Sequence, residues 1–129
     1  MHNITDSTEN YLEAIYVMSK KAGSVRSVDI ARFLDVTKPS VSVAMRKLRE
    51  AKYIRMARDG MITLLPEGLK IAKRTYERHV LLRTFLIHLG VDEETADKDA
   101  CKIEHALSRD SFEALQRHAQ EIDLKTPEK

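Results

Sequence analysis

One short run of this chain has the residue types for coordination chemistry: Cys101-Lys102-Ile103-Glu104-His105. On a helix, positions i, i+3 and i+4 share a face. Cys101, Glu104 and His105 would then offer a sulfur, an oxygen and a nitrogen in one direction. That donor set suits a divalent transition metal and not Mg or Ca. Three ligands on one helix need others from elsewhere. His79 lies midway along a long helical segment, and Glu13 lies near the N-terminus with Asn10 shortly before it. Each residue also has a duller role open to it. A lone Cys is most often a small buried hydrophobe. His79 could be a surface residue after Arg78, and Glu13, Glu104 and His105 could face solvent. His2, His88 and His118 are given no role. Spacing alone makes the cluster suggestive and not diagnostic.

The elements that must carry these residues are legible in outline. Residues 6–21 read as a helix, with Asp6 or Ser7 as the N-terminal acceptor and Leu12, Ile15, Tyr16 and Ser19 at helical spacing. Residues 28–34 read as a short helix capped by Ser27, with Ile30, Ala31 and Leu34 on its apolar face. After a turn at Asp35-Val36, Thr37 caps a helix to about residue 51. Pro39 in its first turn is tolerated because the missing N–H is not needed there. Residues 53–56 and 61–64 read as strands joined by a turn at Asp59-Gly60. Pro66 opens a long helix ended by Gly90, and helices over 92–107 and 110–120 follow. Residues 124–129 are expected to fray. The fold class is therefore mainly α with a small β-wing: a winged helix-turn-helix over 1–65, and a helical domain over 66–129.

The first half has the charge of a polyanion binder. The net charge is +2, but residues 1–60 hold 11 Lys+Arg against 7 Asp+Glu, and residues 61–129 hold 11 against 13. Within 38–58, seven basic residues stand against Glu50 alone. Ala31 sits where the two short helices would cross, with Val41 on the inner face of the second. The outward side of that second helix suits a major groove. Lys38, Arg46 and Lys47 would meet phosphates, with Thr37, Ser40 and Ser42 alongside as hydroxyl donors. Pro39 and Val43 would touch thymine methyls, and Arg58 at the hairpin tip would reach the backbone or minor groove. An ordinary helical hairpin explains the core positions equally well. It does not explain an outward Val and Pro amid basic residues, followed by a β-hairpin.

Composition narrows the class. With 129 residues, 43% hydrophobic and 33% charged, the chain has room for one compact domain or two small ones. No stretch approaches the roughly 20 apolar residues of a membrane span, and the first residues lack the pattern of a secretory signal. A single cysteine, Cys101, excludes a disulfide framework and points to a reducing, cytoplasmic setting. No Gly-rich loop or nucleophile motif accompanies the Cys/Glu/His run, which argues against a small metalloenzyme.

Taken together, Glu9-Asn10-Tyr11-Leu12-Glu13-Ala14-Ile15-Tyr16, Lys38-Pro39-Ser40-Val41-Ser42, Arg78-His79 and Cys101-Lys102-Ile103-Glu104-His105 resemble the diphtheria toxin repressor and manganese transport regulator family. These are metal-dependent transcriptional repressors. The resemblance spans essentially the whole chain. It implies a homodimer on double-stranded operator DNA, with Mn(II) or Fe(II) as corepressor and Zn(II) or Co(II) able to bind in vitro. By position it implies the ligands Asn10, Glu13, His79, Cys101, Glu104 and His105. It also implies the short form of the family, without an SH3-like domain.

Several positions depart from the family pattern. Asn10 stands where the manganese branch usually has Asp and the iron branch Met. Glu13 follows the manganese branch, whereas Cys101 follows the iron branch. The donor set is a hybrid, with no carboxylate at 101 to bridge two manganese ions. Arg83 and Asp97 replace the Glu and His of the iron branch's ancillary site. Leu65-Pro66-Glu67-Gly68 lacks the Thr that often caps the helix after the wing. The expected function is a metal-activated repressor of metal-uptake genes. The alternatives are a winged-helix regulator answering to a small organic ligand or to Cys101 oxidation, and, further off, a small metalloenzyme.

Overall fold

The computed structural model describes residues 5–125. They form α1 (Asp6–Ala22), α2 (Ser27–Leu34), α3 (Lys38–Glu50), β1 (Ile54–Met56), β2 (Ile62–Leu64), α4 (Pro66–His88), α5 (Glu93–Ala106) and α6 (Arg109–Glu121). Two compact units meet between Arg74 and Thr75, within α4. No helix among the described residues is long and apolar enough to cross a membrane.

In the first unit, α1 to α3 and the two strands enclose one apolar core. Leu12, Ile15, Val25, Ile30, Val41, Met45, Leu48, Ile54 and Ile62 are all buried. Each large member contributes on the order of 2 kcal/mol by leaving water. The α2–α3 turn places Asp35 in the left-handed region at φ 55°, and the Val36 amide returns to the Ala31 carbonyl at 3.0 Å. Thr37 accepts the Ser40 amide at 3.3 Å and starts α3. The strands pair antiparallel, Ile54 with Leu64 and Met56 with Ile62. The Ile62 amide also bonds the Val25 carbonyl at 2.8 Å, which ties the wing to the chain before α2. Arg26 secures the wing's turn: its Nε donates to the Asp59 carbonyl at 3.1 Å. Gly68 lets α4 lie against the wing, since a Cβ there would fall 2.2 Å from the Tyr53 carbonyl oxygen.

In the second unit, residues 75–88 of α4 pack with α5 and α6. Thr75, Leu82, Ala96, Ala100, Phe112 and Ala119 are buried. α4 ends in a Schellman turn. Gly90 adopts φ 103°, its amide bonds the Ile87 carbonyl, and the Val91 amide bonds that of Leu86. Asp92 caps α5 and Ser108 caps α6 through their side-chain oxygens. Arg78 donates to the carbonyls of Glu104 and Leu107 and lies over the Phe112 ring, which joins the α5–α6 turn to α4.

Three local expectations need correction. The α1 cap is Thr5, whose hydroxyl accepts the Thr8 amide at 3.1 Å; Asp6 and Ser7 lie inside the helix. Ser27 is the first helical residue of α2 and not its cap. The Asp29 carboxylate reaches back instead to the Arg26 amide at 2.9 Å. Leu124 is half-buried with its amide on the Ala119 carbonyl at 2.8 Å, so the chain is still held there; residues 126–129 lie outside the described residues.

Gly68→Ala is expected to destabilise the protein by about 1–3 kcal/mol, because its methyl meets backbone that cannot swing aside. An unchanged melting temperature would show that the contact is looser. Asp92 gives a pH-dependent test. The backbone hydrogen bond from Thr95, then that residue's hydroxyl, holds the Asp92 pKa below its ordinary 3.8. A depressed carboxylate stabilises the fold above its unfolded pKa and loses that contribution as pH falls through the folded value. Asp92→Ala should therefore lower the melting temperature at neutral pH, and the gap to wild type should narrow below about pH 4.

Candidate metal centre and nucleic-acid interface

The Cys/Glu/His run falls on α5, where the helix period sorts its side chains into two adjacent rows. Ala96, Ala100 and Glu104 form one, and all three are buried. Asp97, Cys101 and His105 form the other, and all three are half-buried. Glu104 thus ends a row that is otherwise alanine, at 1% exposure. One donor atom from each of Cys101, Glu104 and His105 lies within 4.8 Å of the others. His79, on α4, brings Nδ1 to 3.7 Å from Glu104 Oε1, and His105 Nε2 stands at the same distance from that oxygen. Four of the six residues of the metal-like pattern therefore converge within the second unit. Asn10 and Glu13 lie half-buried on α1, in the first.

The residues present fit a cation. Both Glu104 carboxylate oxygens are buried and accept no hydrogen bond from the described residues. Burying a carboxylate without donors is costly unless a charge compensates it. Two imidazoles and a thiol at close range are the donors a soft or borderline divalent ion takes. These positions weaken the solvent-facing alternative for Glu104, His105 and His79; the His79 side chain is only 20% exposed.

Two neighbours of the cluster were not legible as partners in the sequence. Asp97 Oδ1 accepts from His79 Nε2 at 3.2 Å, and Arg83 Nε lies 2.8 Å from the same oxygen. Arg83 is itself 5% exposed, and its guanidinium also stands 3.7 Å from Glu93. The available signal was helical spacing: Arg83 is one turn after His79, and Asp97 one turn before Cys101.

In the first unit, the inner side of α3 buries Val41, Met45 and Leu48. Thr37, Lys38, Pro39, Ser40, Ser42, Val43, Arg46 and Lys47 are all exposed. Val43 is an apolar side chain at 44% exposure on a face that is otherwise polar apart from Pro39. The Ser40 hydroxyl is engaged as acceptor for Thr37 at 2.8 Å, so the two act first in capping. Arg58 is exposed in the wing's turn. Pro39, Ser40, Val43 and Lys47 also border an open groove of about 580 Å³ beside the start of α1.

Comparison with known proteins agrees with both halves. Residues 3–61 match the N-terminal DNA-binding domain of the iron-dependent repressors. Residues 65–125 match the metal-binding and dimerisation domain of the same group. The chain belongs to the iron-dependent repressor family. It is 40% identical over 111 residues to the HTH-type transcriptional regulator MntR of Bacillus pumilus, covering 86% of this chain and 77% of that one. It is 34% identical over 114 residues to an uncharacterised HTH-type transcriptional regulator of Methanocaldococcus jannaschii, covering 87% and 91%. Among solved structures, the manganese regulator SloR superposes with a TM-score of 0.78 at 26% identity, over 88% of this chain. The chain spans about half of that protein's length, 53%. The family consists of metal-dependent regulators of transcription and not of enzymes, which sets aside the metalloenzyme alternative.

Replacing Glu104 by an apolar residue of similar size gives a direct test of the orphaned carboxylate. Glu104→Met should leave the metal-free protein as stable as wild type or more so, by up to about 4 kcal/mol. Mn(II) is expected to raise the melting temperature of wild type, and this variant should lose that rise. A metal-free variant that melts lower would mean that protein donors satisfy the carboxylate.

Proposed function

We propose that this chain is a cytoplasmic repressor that binds palindromic operator DNA as a homodimer when loaded with Mn(II) or Fe(II), and that it controls metal-uptake genes. The buried Glu104 carboxylate, with His79, Cys101 and His105 around it, is the observation that carries the metal half. The family's pattern adds Asn10 and Glu13 by position. In this reading residues 1–65 read DNA, and residues 66–129 bind metal and dimerise.

A bound divalent ion supplies the positive charge that the Glu104 carboxylate lacks. The chain supplies the rest. Cys101 and the two imidazoles provide soft and borderline donors. By the family's pattern of positions, Asn10 would contribute a neutral carbonyl oxygen and Glu13 an anionic one. Zn(II) and Co(II) are expected to bind in vitro because of their place in the affinity series, whichever ion is the cellular signal. Metal can favour DNA binding only if the DNA-competent arrangement of the dimer holds the ion more tightly than other arrangements. Dimeric readers need their reading helices about one helical turn of DNA apart, near 34 Å.

On the DNA side, exposed Lys38, Arg46, Lys47 and Arg58 meet phosphates, while Thr37, Ser40 and Ser42 add hydroxyl contacts. Pro39 and Val43 present apolar surface to base edges.

Operator binding titrated with Mn(II), Fe(II), Zn(II) and Co(II) tests the whole reading. Glu104→Ala or His105→Ala should abolish metal-stimulated binding while the protein stays folded by circular dichroism. Retained stimulation would refute the ligand assignment. Lys47→Ala should weaken binding to every DNA sequence and reduce the salt slope by about 1, whereas Val43→Ala should change preference at one base step. Equal losses on all sequences for both variants would remove Val43 as a base reader.

A further inference from the structure

The chain Arg83–Asp97–His79 runs from a buried guanidinium to an imidazole at the edge of the Glu104 cluster. A carboxylate accepts hydrogen bonds and cannot donate them. The 3.2 Å contact between Asp97 Oδ1 and His79 Nε2 therefore puts the ring proton on Nε2. In the neutral ring the lone pair is then on Nδ1, the atom that stands 3.7 Å from Glu104 Oε1. Arg83 Nε stands 2.8 Å from the same Asp97 oxygen as an ion pair that makes no hydrogen bond among the described residues, so it restrains that carboxylate by charge. Asp97 by itself is half-exposed, and a free carboxylate there would have several rotamers to choose from. Arg83 is nearly sealed from solvent, and Glu93 at 3.7 Å gives it a second anionic contact.

We propose that Arg83 and Asp97 are positioning residues for a metal ligand, acting together to fix the His79 tautomer and ring orientation so that Nδ1 faces the Glu104 centre. The proposal rests on the reading of that centre as a metal site. Groups that orient ligating histidines in this way commonly change metal affinity by about 10- to 100-fold when removed.

The test separates the two layers. Asp97→Ala alone would leave the nearly buried Arg83 with only the longer Glu93 contact and destabilise the fold, which would confound the reading. The informative variants are thus Asp97→Asn and the double replacement Arg83→Met/Asp97→Ala, each checked by thermal melting. In metal-free wild type, at a pH where the 15N shifts themselves show the ring to be neutral, 15N–1H correlation of His79 should show the Nε2–H tautomer. The double variant should show a mixture of tautomers. Mn(II) affinity, measured by competition with a chelating dye, should fall about 10- to 100-fold in the double variant and less in Asp97→Asn, whose amide oxygen can still accept. Glu104→Ala should abolish binding altogether.

If wild-type His79 carries its proton on Nδ1, or if the double variant keeps both tautomer and affinity, the positioning role is overturned. If affinity falls with no change in tautomer, Arg83 and Asp97 act through packing or charge, and the role is overturned in that case too. Mn(II) binding that survives Glu104→Ala with wild-type affinity refutes the centre itself, and with it the ligand role of His79.

Discussion

A carboxylate out of contact with water must be answered by donors or by a cation, and the second unit is organised around that requirement. Glu104 closes a row on α5 whose other members, Ala96 and Ala100, are small and apolar. The row is a packing surface, so its last position is buried as a consequence of the helix period and not of its chemistry. An apolar side chain would suit the packing better. A carboxylate there, with both oxygens lacking hydrogen-bond donors among the described residues, calls for a compensating positive charge, which is what the proposed coordination role supplies.

The surrounding donors are supplied by ordinary local structure. Asp92 starts α5, Ser108 starts α6, and Arg78 secures the turn between those helices through the carbonyls of Glu104 and Leu107. The last turn of α5 is thereby held through its main-chain carbonyls. His79 comes from α4, where Arg83 lies on the same side one turn later. In the proposed hybrid donor set, a thiol in place of a carboxylate removes one anionic oxygen and adds a soft donor. Hard ions gain least from such a set, and thiophilic ions gain most.

The first unit meets a different constraint. Its α3 must be apolar on one side to join the core and cationic on the other to face a polyanion. The burial of Val41, Met45 and Leu48 against the exposure of Lys38, Arg46 and Lys47 satisfies both. The wing is too short to be stable as an isolated hairpin. It is held by the bond from Ile62 to Val25, by the grip of Arg26 on Asp59, and by the close approach that Gly68 permits. Rigid presentation of the wing's turn depends on these contacts and not on the strands themselves.

The order and type of the elements were legible in the chain itself, because apolar periodicity and the turn residues Asp59-Gly60, Pro66 and Gly90 act over a few positions. So was the pattern of Cys101, Glu104 and His105, since one helical turn defines their common face. The caps were less legible: Thr5 and Asp29 satisfy helix starts that neighbouring polar residues could equally have served. Tertiary structure alone decided that Glu104 is buried and not solvent-facing, that His79 turns Nδ1 toward it, and that Arg83 and Asp97 form one unit with that ring. Spacing specifies which residues share a helix face. Only the packing of α4 against α5 determines which faces meet, how much water is excluded between them, and therefore what a charge placed there requires.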